Sequence, residues 1–259
     1  MTFTCTLFIN GEACAASSAA TFSRANPVSG DIATHAPAAT LTDAIRTADA
    51  AAAAFPQWRD TPPGERRRLL LAAADQLEQR HDQFVAAMNA ETGATPHWAG
   101  FNVHLGADIL REAAALTTQI DGQVIPSNIA GNLAMATRQG AGVVLGMAPW
   151  NAPIILAVRA IATPLACGNT VILKGSELSP ATQGLIIESL AAAGFPQGVV
   201  NYLTSAPQDA PKLVETLIAH PGVRRINFTG STPVGKQLAA LAGAHGFSGA
   251  FPKFDSYRH

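Results

Sequence analysis

From residue 140 onward, short apolar runs alternate with helical segments, and this alternation limits the possible folds more than any other feature of the chain. The first run, residues 142–146, is apolar on both faces and too short for a helix, which is typical of a buried parallel strand. Strands that alternate with helices indicate βαβ units. We therefore predict an α/β fold with a Rossmann-like parallel sheet and flanking helices. Further strands are predicted at 170–173, 199–203 and 225–228, and helices at 154–166, 182–193 and 210–220.

The first half of the chain is predicted to be mainly helical after an opening hairpin. An apolar run at 6–9 meets Asn10-Gly11, the dipeptide that best accepts two positive φ angles. A helix is expected from Thr40 to residue 55, with Asp43 placed to complete a capping box. Heptad spacing of leucine and phenylalanine predicts one amphipathic helix over 64–88. Another helix is expected at 101–118 and an extended segment at 132–137.

Composition excludes several classes of function. The chain has 259 residues, 48% hydrophobic and 14% charged, enough for one large domain or two ordinary ones. A net charge of −1 argues against a nucleic-acid partner. The sequence shows neither a leader pattern nor an apolar stretch of the roughly 20 residues that span a bilayer, so no membrane association is expected. Three cysteines without metal-type spacing favour a reducing compartment, and we expect a cytoplasmic protein.

Three polar clusters follow the predicted strands, where open parallel sheets bind ligands. In 148–153, prolines flank Asn151, whose amide could donate to an oxyanion or simply satisfy loop backbone groups. Lys174 and Glu177 could hold a ribose or form an exposed ion pair. Residues 228–236 form a glycine-bearing turn into a helix, whose N-terminus favours an anion.

The third cluster also allows a nucleotide triphosphatase. Residues 230–236 match the phosphate-binding pattern G-x-x-x-x-G-K between a strand and a helix. However, Gln237 stands where a hydroxyl should meet magnesium, and Pro233 removes a backbone N–H from the loop. Neither a G-x-G-x-x-G fingerprint nor a histidine or cysteine metal pattern occurs in the sequence.

Taken together, the motifs resemble the aldehyde dehydrogenase superfamily in order and spacing. The resemblance runs from the hairpin to about residue 243. Segments 120–126, 150–153 and 220–227 are similar to the salicylaldehyde and vanillin dehydrogenase branch, which implies an aromatic aldehyde substrate. The motifs are Met147-Ala148-Pro149-Trp150-Asn151, Cys167-Gly168-Asn169-Thr170, Lys174 with Glu177, Ala193-Gly194-Phe195-Pro196, and Phe228-Thr229-Gly230-Ser231-Thr232.

The resemblance implies a role for each matching residue. Asn151 would donate to the oxyanion, and Arg159 would face the substrate tunnel. Lys174 and Glu177 would hold the adenosine ribose of the cofactor. That cofactor would be NAD, because a carboxylate at this position would repel the 2′-phosphate of NADP. Ser231 would contact the pyrophosphate. The remaining cofactor-cleft residues would be Met147, Ala148, Pro149, Trp150, Ser176, Gly230 and Val234.

The chain also departs from the family pattern. Family members continue with a Glu-Leu-Gly-Gly-Lys segment and later a nucleophilic cysteine, and neither occurs here. We expect a cofactor-binding half, residues 1–243, with part of the oligomerisation β segment near 120–140, and a tail at 244–259 without a family counterpart. Such a truncated chain should not oxidise aldehydes alone. It could bind NAD or act as an interaction module, and exposed apolar surface is expected because the family forms homo-oligomers.

Overall fold

The computed structural model describes residues 2–247 and the backbone of Lys253–Phe254. The strands are β1 (Phe3–Thr4), β2 (Leu7–Ile9), β3 (Glu12–Cys14), β4 (Thr21–Ala25), β5 (Ile32–Pro37), β6 (Gln123–Ile125), β7 (Ala134–Ala136), β8 (Val143–Met147), β9 (Thr170–Lys174), β10 (Val200–Leu203), β11 (Val223–Gly230) and β12 (Lys253–Phe254). The helices are α1 (Leu41–Arg59), α2 (Pro63–Gln79), α3 (His81–Thr92), α4 (Pro96–Leu116), α5 (Pro153–Ala166), α6 (Pro180–Ala192), α7 (Ala210–Ala219) and α8 (Thr232–Ala244).

A mainly parallel sheet forms the centre of the fold. Within the described residues, its strand order is β12-β11-β8-β9-β10-β2-β3, with β2 and β3 antiparallel at one edge. The chain moves outward from β8 through β9 to β10 and then returns to place β11 on the other side of β8. The strand order therefore reverses between β8 and β11, and ligand crevices form at such points. The predicted α/β fold is confirmed.

Helices cover both faces of this sheet and make two apolar cores. One core combines α2 to α6 with one face of β8 to β10. The other combines α1, α7 and α8 with the opposite face. Strands β8 and β9 are buried along their whole length because they are covered on both sides.

The structure confirms the local signals at the start of the chain. Asn10 and Gly11 have φ angles of 55° and 84° and join β2 to β3, as the two-residue turn predicts. Thr40 and Asp43 form the expected capping box of α1, and this helix extends four residues past the predicted end.

Two helix predictions need correction. The segment predicted as one helix over 64–88 is two helices, because the backbone turns at Arg80, whose N–H closes the end of α2. The heptad spacing continues across this break since Leu77 and Phe84 enter the same core. The helix predicted at 101–118 begins earlier, at Pro96, with Thr95 as its N-cap. A threonine followed by a proline is a start signal for a helix, but the prediction rests on the apolar spacing, which begins later.

Strands β6 and β7 form a separate two-stranded hairpin, and β7 covers the middle half of the extended segment predicted at 132–137. Over the part of the chain that the structure describes, no helix is both long and apolar enough to cross a membrane. The predicted tail at 244–259 lies partly outside the described residues, and the domain boundary stays a prediction.

Candidate functional site

A cleft of about 600 Å³ opens at the carboxyl ends of β8, β9 and β11. It lies at the reversal of strand order, and helices α7 and α8 form its side walls. The lining residues are Met147, Ala148, Pro149, Lys174, Gly175, Ser176, Glu177, Pro207, Ala210, Pro211, Lys212, Val214, Glu215, Phe228, Thr229, Gly230, Ser231, Val234, Gln237, Leu238 and Leu241.

Lys174 and Glu177 meet at the end of β9. The Lys174 ammonium pairs with Glu177 Oε1, and the Lys174 side chain is only 8% exposed. Burial lowers the pKa of Lys174, while the Glu177 carboxylate opposes that effect. The Ser205 hydroxyl also donates to Glu177 Oε1, at 3.4 Å. The pair is therefore not the exposed surface ion pair that the spacing alone allowed, because it is held inside the cleft wall.

The N-terminus of α8 faces the same cleft. Ser231 is the N-cap residue, but its side chain makes no capping hydrogen bond, unlike Thr40 of α1 and Thr95 of α4. Because the first N–H groups of a helix lack intrahelical partners, this end can accept an anion. Gly230, Ser231 and Val234 all line the cleft at this point.

Asn151 lies in the loop between β8 and α5, with its side chain exposed. Among the described residues its side-chain amide has no hydrogen-bond partner, so it does not satisfy loop backbone groups. Its backbone carbonyl accepts a 3.1 Å hydrogen bond from the Trp98 indole. Trp98 stacks on Phe101 with a centroid distance of 5.5 Å, and both rings are partly exposed. An aromatic surface therefore stands beside the candidate oxyanion donor.

The structure brings together nearly all residues predicted for the cofactor. Met147, Ala148, Pro149, Lys174, Ser176, Glu177, Gly230, Ser231 and Val234 line the cleft. Trp150 is 46% exposed and does not line it. Arg159 lies outside the lining as well, with Nη2 placed 3.3 Å from the hydroxyl oxygen of Thr229, which does line the cleft.

Sequence reasoning missed the apolar wall of the cleft and the aromatic pair. Pro211 and Val214 on α7, together with Leu238 and Leu241 on α8, face the space between these helices. Apolar residues at helical spacing indicate a buried helix face. The spacing alone does not show whether that face packs in the core or lines a cleft. Trp98 is 53 residues from Asn151 along the chain, so no local signal could have joined them.

The three cysteines of the sequence lie away from the cleft. Cys5 is buried beside Pro180, and burial raises the pKa of its thiol. Cys167 ends α5, where burial also raises its pKa although Arg66 opposes the shift. Cys14 is half-buried in β3. Since a raised pKa disfavours the thiolate, neither Cys5 nor Cys167 has the environment of a nucleophile.

Lys236, the lysine of the triphosphatase pattern, is exposed and is not among the cleft-lining residues. A phosphate-binding lysine has to reach into the nucleotide site. Pro233 occupies the first turn of α8 and supplies no N–H there. The geometry therefore argues against a triphosphatase.

Comparison with known proteins gives a consistent result. Residues 14–248 match the model of the aldehyde dehydrogenase family. The chain is 58% identical to a vanillin dehydrogenase of Pseudomonas sp. (strain HR199 / DSM 7063) over 239 residues, which is 92% of this chain and 50% of that protein. The chain thus spans about half the length of the curated relatives it matches.

Solved structures show the same relationship. The crystal structure of a salicylaldehyde dehydrogenase from Pseudomonas putida G7 complexed with salicylaldehyde superposes with a TM-score of 0.92 at 49% identity, covering 95% of this chain and 50% of that one. An NAD-dependent benzaldehyde dehydrogenase from Corynebacterium glutamicum gives a TM-score of 0.91 at 28% identity, covering 96% of this chain and 54% of that one.

Proposed function

Because the chain belongs to the aldehyde dehydrogenase family, we propose that it forms the NAD-binding part of an enzyme that oxidises an aromatic aldehyde to a carboxylic acid. NAD, when bound, accepts the hydride in this chemistry. The residues of this chain bind and orient the cofactor and supply the oxyanion donor.

The observation that supports this proposal best is the composition of the cleft. It combines an apolar slot between α7 and α8, a buried Lys174–Glu177 pair and an uncapped helix N-terminus at Ser231. The flat base of the cofactor can pack in the apolar slot, and its ribose hydroxyls can hydrogen-bond to the Lys174–Glu177 pair. Its pyrophosphate can bind at the N-terminus of α8. The three features share one cavity of about 600 Å³, as a dinucleotide requires.

Glu177 favours NAD over NADP. A carboxylate close to a 2′-phosphate would repel it in a partly buried site, where charges are weakly screened. The paired Lys174 ammonium offsets part of this repulsion, so the discrimination depends on the Glu177 carboxylate lying closer than the Lys174 ammonium to the ribose hydroxyls.

The aldehyde is expected to bind on the side of Asn151. Its exposed amide can donate to the oxygen that becomes negative when a nucleophile attacks the carbonyl. Trp98 and Phe101 provide aromatic surface nearby, and Arg159 provides a positive charge toward Thr229. The similarity to vanillin and salicylaldehyde dehydrogenases supports an aromatic ring in the substrate.

Calorimetric titration of the chain with NAD tests the proposal. We expect saturable binding, weakened roughly tenfold or more in Glu177→Ala, because hydrogen bonds to a charged group contribute about 1.5–3 kcal/mol. Glu188→Ala is the matched control, since this exposed carboxylate pairs with Arg80. It should leave the affinity unchanged.

The outcomes separate the candidate functions. Absence of NAD binding by the unmodified chain would contradict the proposal, and saturable binding of ATP with magnesium would favour the triphosphatase. With NAD and a benzaldehyde-type substrate, we expect no NADH fluorescence from this chain alone, because none of its three cysteines lines the cleft. Turnover would show that this expectation is wrong.

A further inference from the structure

We infer that Gln183 is a positioning residue that holds two walls of the cleft together and thereby sets the preference for NAD over NADP. The inference rests on the proposed NAD site. Gln183 lies on α6, is fully buried, and does not itself line the cleft.

The Gln183 amide touches two different loops. Its Oε1 accepts a 2.7 Å hydrogen bond from the backbone N–H of Ser176, in the loop that follows β9. Its Nε2 lies 3.4 Å from the carbonyl oxygens of Ala148 and Pro149 and 3.5 Å from that of Pro153, all near the loop that follows β8. One side chain therefore connects the loop of the ribose pair to the loop of Asn151.

Only an amide matches these surroundings. One side offers an N–H donor and the other offers three carbonyl acceptors, so the oxygen and nitrogen of the amide can be assigned in one orientation only. A carboxylate would face the carbonyls with no proton to share. An apolar side chain would leave the Ser176 N–H without its partner, and unsatisfied buried groups are costly.

Ser176 is the link between Gln183 and cofactor choice. It directly precedes Glu177, whose carboxylate is expected to discriminate against the 2′-phosphate. The Ser176 hydroxyl accepts the N–H of Leu178, so the turn between Lys174 and α6 is also hydrogen-bonded within itself. Without Gln183, this turn keeps the pairing of β9 with β8 but loses its hydrogen-bond link to the loop that follows β8, so the position of the Glu177 carboxylate is less well defined.

The test compares dissociation constants for NAD and NADP in the chain and in Gln183→Met, a substitution of similar length that removes both polar contacts. We expect NAD to bind about tenfold more weakly, from loss of a buried hydrogen bond. We also expect the NADP-to-NAD ratio of dissociation constants to fall about fivefold, since charge repulsion depends on the position of Glu177.

Asn201→Leu is the matched control. Asn201 is also a fully buried amide that joins two segments, accepting from the Asn10 N–H and donating to the Gly198 carbonyl, but it lies outside the cleft lining. The Asn201→Leu variant should have a lower melting temperature but an unchanged NADP-to-NAD ratio of dissociation constants. A ratio that is unchanged in Gln183→Met, or altered equally in Asn201→Leu, would overturn the inference.

Gln183→Glu gives a second test that does not depend on the methionine variant folding. A protonated glutamate has one acceptor and one donor, like the amide, whereas the ionised form lacks the donor. We expect the NADP-to-NAD ratio of this variant to approach that of the unmodified chain as the pH is lowered. A ratio with the same pH dependence as the unmodified chain would overturn the inference. If the unmodified chain binds neither dinucleotide, the proposed function itself fails.

Discussion

Asp43 accepts hydrogen bonds from two segments that meet at the start of α1. Its buried carboxylate receives the N–H and hydroxyl of Thr40 and the N–H and hydroxyl of Ser17. Burial acts to raise the pKa of Asp43, but these four hydrogen bonds outweigh it and hold the pKa below its usual value. Asp43 therefore serves both as the reciprocal residue of the capping box and as a connection to the segment after β3.

Asp43→Asn should destabilise the chain in a pH-dependent manner. Because the folded-state pKa is lowered, the stabilisation is complete above the unfolded pKa and is lost as the pH falls through the folded pKa. We expect a loss of about 1 kcal/mol at neutral pH, the usual size of a capping effect. Urea unfolding at a series of acidic pH values should show that the difference in free energy of unfolding between the variant and the unmodified chain decreases as the pH falls. The exposed Asp121→Asn serves as control, and a gap that stays constant in acid would contradict the assignment.

At the residue scale, the sequence predicts contacts between near neighbours and misses those made across the fold. Thr40 and Asp43, like Lys174 and Glu177, are three apart, so their pairing follows from spacing. Gln183 contacts Pro149 across 34 positions, and its neighbours on α6 are apolar or small, which hides its role. The resemblance to a family supplied the cleft residues that match its motifs, and Gln183 lies in none of those motifs.

At the scale of elements, helix α6 is capped by a residue from another helix. Its own N-cap, Ser179, makes no side-chain capping bond. Instead, the buried carboxylate of Glu91 on α3 accepts the N–H groups of Ala181 and Thr182, at 2.8 and 2.9 Å, and the hydroxyl of Thr34 on β5. One carboxylate thus joins α3, α6 and β5 behind the cleft.

Glu91→Gln should lower the free energy of unfolding by about 2 kcal/mol, in the range for leaving a buried hydrogen-bond donor without its acceptor. Each carboxylate oxygen receives a backbone N–H, so either orientation of a glutamine places its NH₂ against a backbone donor. Urea unfolding measures the change. Glu188→Gln, on the exposed side of α6, should cost less than about 0.5 kcal/mol. Equal effects of the two variants would show that Glu91 is not the cap.

The positions of the elements were easier to predict than their boundaries. The strands β8 to β11 and the helices between them follow from runs that are apolar on both faces and from the Gly and Pro residues that end them. The break at Arg80 could not be predicted, because the apolar spacing continues through it while the backbone turns. Tertiary packing sets that boundary, since α2 packs against α4, α5 and α6, whereas α3 packs against α4, α6 and β5.

At the scale of the whole molecule, the β6–β7 hairpin stands apart from the layered core. It pairs only with itself among the described residues, whereas the central sheet is covered on both faces. Val124 and Met135 are opposite each other in register, so they share one face, and they are 72% and 62% exposed. An isolated hairpin is marginally stable in water, and an apolar face of this kind favours association.

We therefore expect concentration-dependent self-association of the chain through this hairpin, measurable by sedimentation velocity. The double variant Val124→Lys with Met135→Glu should reduce it, since the cross-strand pair becomes charged and complementary while the hairpin keeps its register. The urea midpoint should change little, because neither side chain belongs to either core. Val28→Lys is the matched control, because Val28 is an 84% exposed apolar residue in a turn elsewhere.

The outcomes decide whether the hairpin is the association surface. If the unmodified chain sediments as a monomer at all concentrations, or if Val28→Lys reduces the association equally well, the hairpin is not that surface. Loss of association with unchanged NAD affinity would show that the cleft forms within one copy of the chain.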